Sequence, residues 1–97
     1  MTSLRIGAVD VLVETTVLED SLGEYLSDPV PTIRLHHDLE EPVRSLTEIH
    51  EIAHAISDQY ALGLSENCVR RLETALGQFL RDNPGTVIRL LEALRRP

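Results

Sequence analysis

Lysine is absent from this 97-residue chain, cysteine occurs once, and aromatic side chains number only three, Tyr25, Tyr60 and Phe79. A single cysteine cannot close an intramolecular disulfide, so the composition fits a reducing compartment. Cys68 itself is expected to be a small, partly buried hydrophobe. With so few rings available, the core must be built from Leu, Ile, Val and Ala. No apolar run approaches membrane-spanning length, and the first residues lack the uninterrupted apolar stretch of a secretory signal, so a soluble, cytoplasmic protein is expected. Positive charge is scarce as well. Nine arginines face 16 carboxylates, giving a net charge of −7. Such a chain repels phosphate backbones, which argues against non-specific nucleic-acid binding.

The length suits one domain spanning residues 1–97, small enough for a bound metal to matter to its stability. Residues 4–17 are rich in β-branched side chains. Leu4 and Ile6, then Val9, Val11 and Val13, read as one or two strands with a turn near Gly7. Gly23–Ser27 is a candidate short strand, Asp28-Pro29-Val30-Pro31 interrupts regular structure, and Thr32–His36 alternates again as a strand. Three helices follow. The first is expected over Glu40–Leu62, with Pro42 in its first turn, Glu40 and Glu41 at the positive end of the dipole and Gly63 as its stop. Val43, Leu46, Ile49, Ala53 and Ile56 would form its apolar stripe. The second runs from a Ser65 cap to about Leu80, with Val69, Leu72, Leu76, Phe79 and Leu80 on its buried face. The third opens at Asn83-Pro84, with Val87, Leu90, Leu91 and Leu94 as its stripe and Arg95 and Arg96 at its C-terminal end. The expected fold is α+β: a small N-terminal antiparallel sheet followed by three helices.

Within the first helix, residues 50–54 read His50-Glu51-Ile52-Ala53-His54, the pattern H-E-x-x-H. Positions i and i+4 of a helix lie one above the other, so both imidazoles can reach one metal ion while Glu51 reaches water bound to it. Zinc peptidases use this arrangement: two histidines and a third protein ligand hold Zn²⁺, and the glutamate accepts a proton from the zinc-bound water. In a chain of this composition the pattern arises by chance about 2 times in 100, so its helical context matters. The bland alternative is two surface histidines on an amphipathic helix. The second helix offers Glu66 and Glu73 as the third ligand. Seven residues apart, they project within about 20° of each other, and geometry does not separate them. His36 and His37 at the end of the Thr32–His36 strand are further candidates, though a His pair there is more often solvated.

The run from Thr32 to Pro84 resembles the small ImmA/IrrE-type zinc metallopeptidases, particularly short forms encoded by bacteriophages and prophages. The matching residues are Ile33-Arg34-Leu35, the segment Leu46 to Ile56 containing the motif, Leu64-Ser65-Glu66, then Val69, Leu72, Leu76 and Asp82-Asn83-Pro84. The resemblance implies a minimal zincin-like fold, a Zn²⁺ cofactor and peptide-bond hydrolysis. It also implies that the third ligand is the glutamate opening Glu66-Asn67-Cys68-Val69. Larger members of that family cleave DNA-binding repressors or regulators.

The leading expectation is therefore a zinc-dependent peptidase acting on a protein or peptide. Its metal ligands would be His50, His54 and Glu66, with Glu51 as general base and an edge strand, Ile33–Leu35, to pair with extended substrate. Two other classes stand beside it. One is a non-catalytic, zinc-stabilised interaction module using the same ligands. The other is a helix-turn-helix, in which Gly63-Leu64-Ser65 would be the turn and Val69-Arg70-Arg71-Leu72 would lie on the reading helix. Against that, Gln59 stands where close helix packing wants a small residue, Glu66 and Glu73 lie on the reading helix, and the protein as a whole is acidic.

Overall fold

In the computed structural model, which describes residues 2–97, four strands precede three helices, an α+β fold. The strands are β1 (Thr2–Ile6), β2 (Val9–Thr16), β3 (Gly23–Leu26) and β4 (Thr32–His36). They form one sheet in the order β1-β2-β4-β3. β1 and β2 make a hairpin in which Ile6 faces Val9. Its two-residue turn places Gly7 at φ 61°, a conformation that glycine adopts without steric cost. β3 and β4 pair antiparallel, but the central β2–β4 pair is parallel. The sheet is thus mixed, with two of its three pairings antiparallel as expected.

One face of this sheet is apolar and the other charged, as strand alternation dictates. Ile6, Val11, Val13, Ile33 and Leu35 point inward and form the core with Ala55 of the first helix. On the opposite face Arg34 sits between Glu14 and Glu24, its register partners on the two neighbouring strands, at 2.7 and 3.5 Å. These pairs are partly exposed and contribute roughly 0.5 kcal/mol each. They mark which face stays wet.

Helix α1 (Val43–Gln59) covers the apolar face, and α2 (Glu66–Asp82) packs against α1 from the other side. α1 is shorter than the sequence suggests at both ends. Pro42 has φ −86° and ψ 0° and occupies the N-cap position, and the Glu41 carboxylate accepts a hydrogen bond from the Ser45 amide at 2.9 Å. At the other end Ala61 turns left-handed and the Leu62 amide donates back to the Ser57 carbonyl at 2.9 Å, before Gly63 at φ 65° redirects the chain. The expected apolar stripe is only part of α1's contact surface. Ile52 and Ala55 meet the sheet, whereas Leu46 and Ile49 line a groove with α2, and Val43 and Ile56 are largely exposed. A helix held between two layers needs two stripes, and the single-stripe reading merged them.

Ser65 caps α2 as expected, its hydroxyl accepting from the Cys68 amide at 3.1 Å. The buried face expected for this helix is reduced to Val69, because Leu72, Leu76, Phe79 and Leu80 are each more than a third exposed. Cys68 is exposed rather than partly buried, since it lies about 100° around the helix from Val69. Helix α3 (Pro84–Leu94) begins with proline in its first turn and buries no residue; of its expected stripe Val87 is half-buried, while Leu90, Leu91 and Leu94 are exposed. The Asn83 side chain makes no capping hydrogen bond to α3; its amide donates to the Phe79 carbonyl at 3.0 Å and closes α2.

Candidate metal centre

The i, i+4 spacing on α1 sets the His50 and His54 rings edge to face on the side facing α2, with centroids 4.9 Å apart and planes at 62°. Both aim Nε2 at one carboxylate. The His50 Nε2–Glu66 Oε1 and His54 Nε2–Glu66 Oε2 distances are each 2.8 Å. Glu66 can do this because it is the first residue of α2, set opposite the motif by the turn that Gly63 and the Ser65 cap define. Desolvation pushes the Glu66 carboxyl upward, but the hydrogen bonds and positive charge of His54 and His50 outweigh it and hold the group below the ordinary glutamate range. The second glutamate sits two turns further along α2 and takes the other nitrogen. His50 Nδ1 lies 2.9 Å from Glu73 Oε1.

This donor set fits a zinc ion. One ligand atom each from His50, His54 and Glu66 lies within 4.8 Å of the others. Bonds of about 2.0 Å in a tetrahedron place ligand atoms about 3.3 Å apart, so small side-chain rotations accommodate the ion. Glu73 supplies what a ligating histidine ordinarily has, a carboxylate on its remaining N–H that fixes ring orientation and raises basicity. Spacing brought Glu66 and Glu73 forward as rivals; the structure gives them different atoms of His50.

Glu51 is buried, with 6% of its surface exposed, although His50, Ile52 and His54 are only half-buried. Among the described residues nothing hydrogen-bonds its carboxylate, which lines the cavities on both sides of the histidines. Burial pushes its carboxyl above the ordinary glutamate range; His50 and His54 charges oppose this, and Glu66 and Glu24 add to it. Gly23 of β3 permits the close approach. A Cβ there would lie 3.2 Å from Glu51 Cγ and 2.8 Å from the Thr47 methyl.

One expectation changes. The Ile33–Leu35 strand is interior, flanked by β2 and β4's other partner β3, so it has no free edge; the edge beside the motif helix is β3. His36 and His37 do not join the motif histidines. They form a separate local group with Asp38, in which His36 Nδ1 accepts from the Asp38 amide at 3.2 Å and the two rings stack at 4.9 Å.

Sequence reasoning missed the groove beside His54. Tyr25 and Ser27, from β3 and just beyond it, line a cavity of about 690 Å³ together with Glu51, His54, Ser57 and Asp58. The Tyr25 hydroxyl donates to Asp58 Oδ2 at 2.7 Å. Asp58 stands four residues after His54, a spacing visible in the sequence, but nothing local shows that Tyr25 faces it.

Compared with protein-family models, with curated proteins and with solved structures, the chain matches none. No helix among the described residues is long and apolar enough to cross a membrane.

Proposed function

We propose that the protein is a small zinc metallopeptidase of the ImmA/IrrE type, acting on a protein substrate in the cytoplasm, that of the host cell if the chain is phage-encoded. The observation that carries this reading is one juxtaposition. His50, His54 and Glu66 converge on a single point, and a buried glutamate with no polar partner stands beside them. His50, His54 and Glu66 would hold the ion, and Glu73 would orient His50. When bound, Zn²⁺ supplies Lewis acidity, polarising the scissile carbonyl and making water acidic enough to lose a proton near neutral pH.

Glu51 accepts the proton of the attacking water and returns it to the leaving amine. A carboxyl lifted by burial is better matched to this exchange than an ordinary glutamate. The outer edge of β3 is open to an added strand, and it runs beside α1 at Gly23, where Glu51 lies. An extended peptide pairing there would be presented to Glu51 by main-chain hydrogen bonds.

The zinc-stabilised module uses the same three ligands, but it gives no role to Glu51, whose carboxylate opens onto the cavities on both sides of the histidines. A helix-turn-helix is disfavoured because the first residue of its reading helix, Glu66, is held by two histidines of the preceding helix.

Glu51→Gln separates enzyme from module. The variant is expected to retain one zinc per chain and its fold, and to lose peptide-library cleavage by at least about 1,000-fold. Cleavage equal to that of the unaltered protein would dismiss Glu51 as the base.

A further inference from the structure

We propose that the cavity beside His54 is a subsite for a cationic side chain, so that the substrate carries lysine or arginine next to the bond presented to Glu51. This rests on the metallopeptidase reading of the adjoining site and names its substrate class.

The cavity, about 690 Å³, is continuous with the candidate centre because Glu51 and His54 form one end of it. Asp58 stands on its wall. Tyr25 takes one carboxylate oxygen, Oδ2, at 2.7 Å, and the Gln59 amide lies 3.5 Å from the Tyr25 hydroxyl, which fixes the carboxylate against β3. Among the described residues no arginine or histidine pairs with Asp58, so its other oxygen is free to accept. The Tyr25 ring and the Ala61 methyl flank the cavity and can pack against the aliphatic stem that arginine and lysine carry below their charge.

The surroundings favour a cation as well. Residues 1–65 hold twelve carboxylates and three arginines. Each of those arginines is already paired: Arg5 with Asp10, Arg34 with Glu14 and Glu24, and Arg44 with Glu48. The uncompensated charge is negative, and clefts concentrate such a field. The negative charge of Asp28 reaches Tyr25 along with that of Asp58. On the opposite side of the histidines the second cavity, about 390 Å³, contains Arg70, whose Nε lies 3.5 Å from Glu66. Glu66 and Glu73, which also line that second cavity, already face His50, whereas Asp58 has no basic partner among the described residues, so a cationic side chain is directed to the Asp58 end.

Two titrations test this. In the first, N-acetyl-arginine methylamide and its uncharged citrulline counterpart are added to the metal-free protein, and amide resonances are followed by NMR. The arginine compound is expected to shift Tyr25, Ser27, Asp58 and Gly63 and to bind at least about fivefold more tightly; Asp58→Asn should abolish the difference and Asp58→Glu preserve it. Equal binding of the two compounds, or a difference that survives Asp58→Asn, overturns the proposal. In the second, dipeptide hydroxamates differing only in an arginine or a leucine side chain are titrated into zinc-loaded protein. About tenfold preference for arginine is expected. If zinc binds and the hydroxamates bind alike, the subsite does not serve the centre and the proposal falls. If arginine binds at Asp58 but the protein takes up no zinc, the metal reading falls while the cation subsite stands.

Discussion

His50 is engaged through both ring nitrogens, and that makes the two glutamates of α2 unequal. Glu66 meets Nε2 of both histidines, the atoms a metal would take, whereas Glu73 meets only Nδ1 of His50. If His50, His54 and Glu66 hold zinc as proposed, removing charge from Glu66 takes away a ligand, and removing it from Glu73 frees a ring. Glu73→Gln should therefore weaken zinc affinity about 10-fold to 100-fold, the usual cost of losing a carboxylate behind a ligating histidine. Glu66→Gln should weaken it further, and chelator-competition titrations would rank the two. A larger loss in Glu73→Gln would transfer the ligand role to Glu73. Spacing alone left the choice between them open and only the family resemblance pointed to Glu66, because a helical angle of about 20° locates a side chain's face but not the atom it reaches. His50, His54 and Glu51 were legible for the opposite reason: i, i+4 stacking is a local property that needs no knowledge of the neighbours. Cys68 was misread because burial depends on which face of α2 meets α1, and residue type alone does not report it.

At the level of elements, alternation in Thr32–His36 correctly separates Ile33 and Leu35 from Arg34, since that only asks which face each residue points to. It says nothing about lateral neighbours. The parallel β2–β4 pair, which puts β4 inside the sheet and β3 at its edge, joins segments about 20 residues apart and left no mark in either strand. Gly23 does bear such a mark, although it is readable only in the structure. The Thr47 methyl that a Cβ at Gly23 would strike cannot easily turn away, because the Thr47 hydroxyl donates to the Val43 carbonyl at 2.8 Å. Backbone stands on the other side, with the Arg34 carbonyl 3.2 Å from the same Cβ. Gly23→Ala should therefore cost about 1–3 kcal/mol by overpacking, read from urea unfolding, and Thr47→Ser should recover part of it. Gly85 is the control. A Cβ there meets nothing within 4 Å in the first turn of α3, so Gly85→Ala should stabilise by up to about 1 kcal/mol. An innocuous Gly23→Ala would show that β3 and α1 are not in the close contact that brings Glu51 to the edge strand.

Considered whole, the molecule is more extended than its length requires. Its radius of gyration is 14.0 Å, where about 12.5 Å is typical for such a chain, and its longest axis is 39 Å. Its accessible surface is 6891 Å², against about 5,600 Å² for a compact protein of this mass. The excess traces to the last two helices, α2 burying only Val69. α3 buries no residue and Leu94 is 81% exposed, while the strand core, α1 and the candidate centre lie entirely within residues 2–82. The charges change there too: residues 83–97 carry three arginines against one carboxylate, the reverse of the balance before them. Stability and the centre should accordingly be separable from α3. A chain ended after Asn83 keeps the Asn83–Phe79 hydrogen bonds that close α2. Its unfolding midpoint should change by no more than the few degrees that about 1 kcal/mol produces in a domain of this size. Zinc at 100 times its dissociation constant should stabilise the short and full chains equally, by about 2.7 kcal/mol. Calorimetry with and without zinc reads both quantities. Loss of cooperative unfolding in the short chain would mean that α3, despite its exposure, holds α2 against α1, and the convergence of His50, His54 and Glu66 would then depend on a helix that touches none of them.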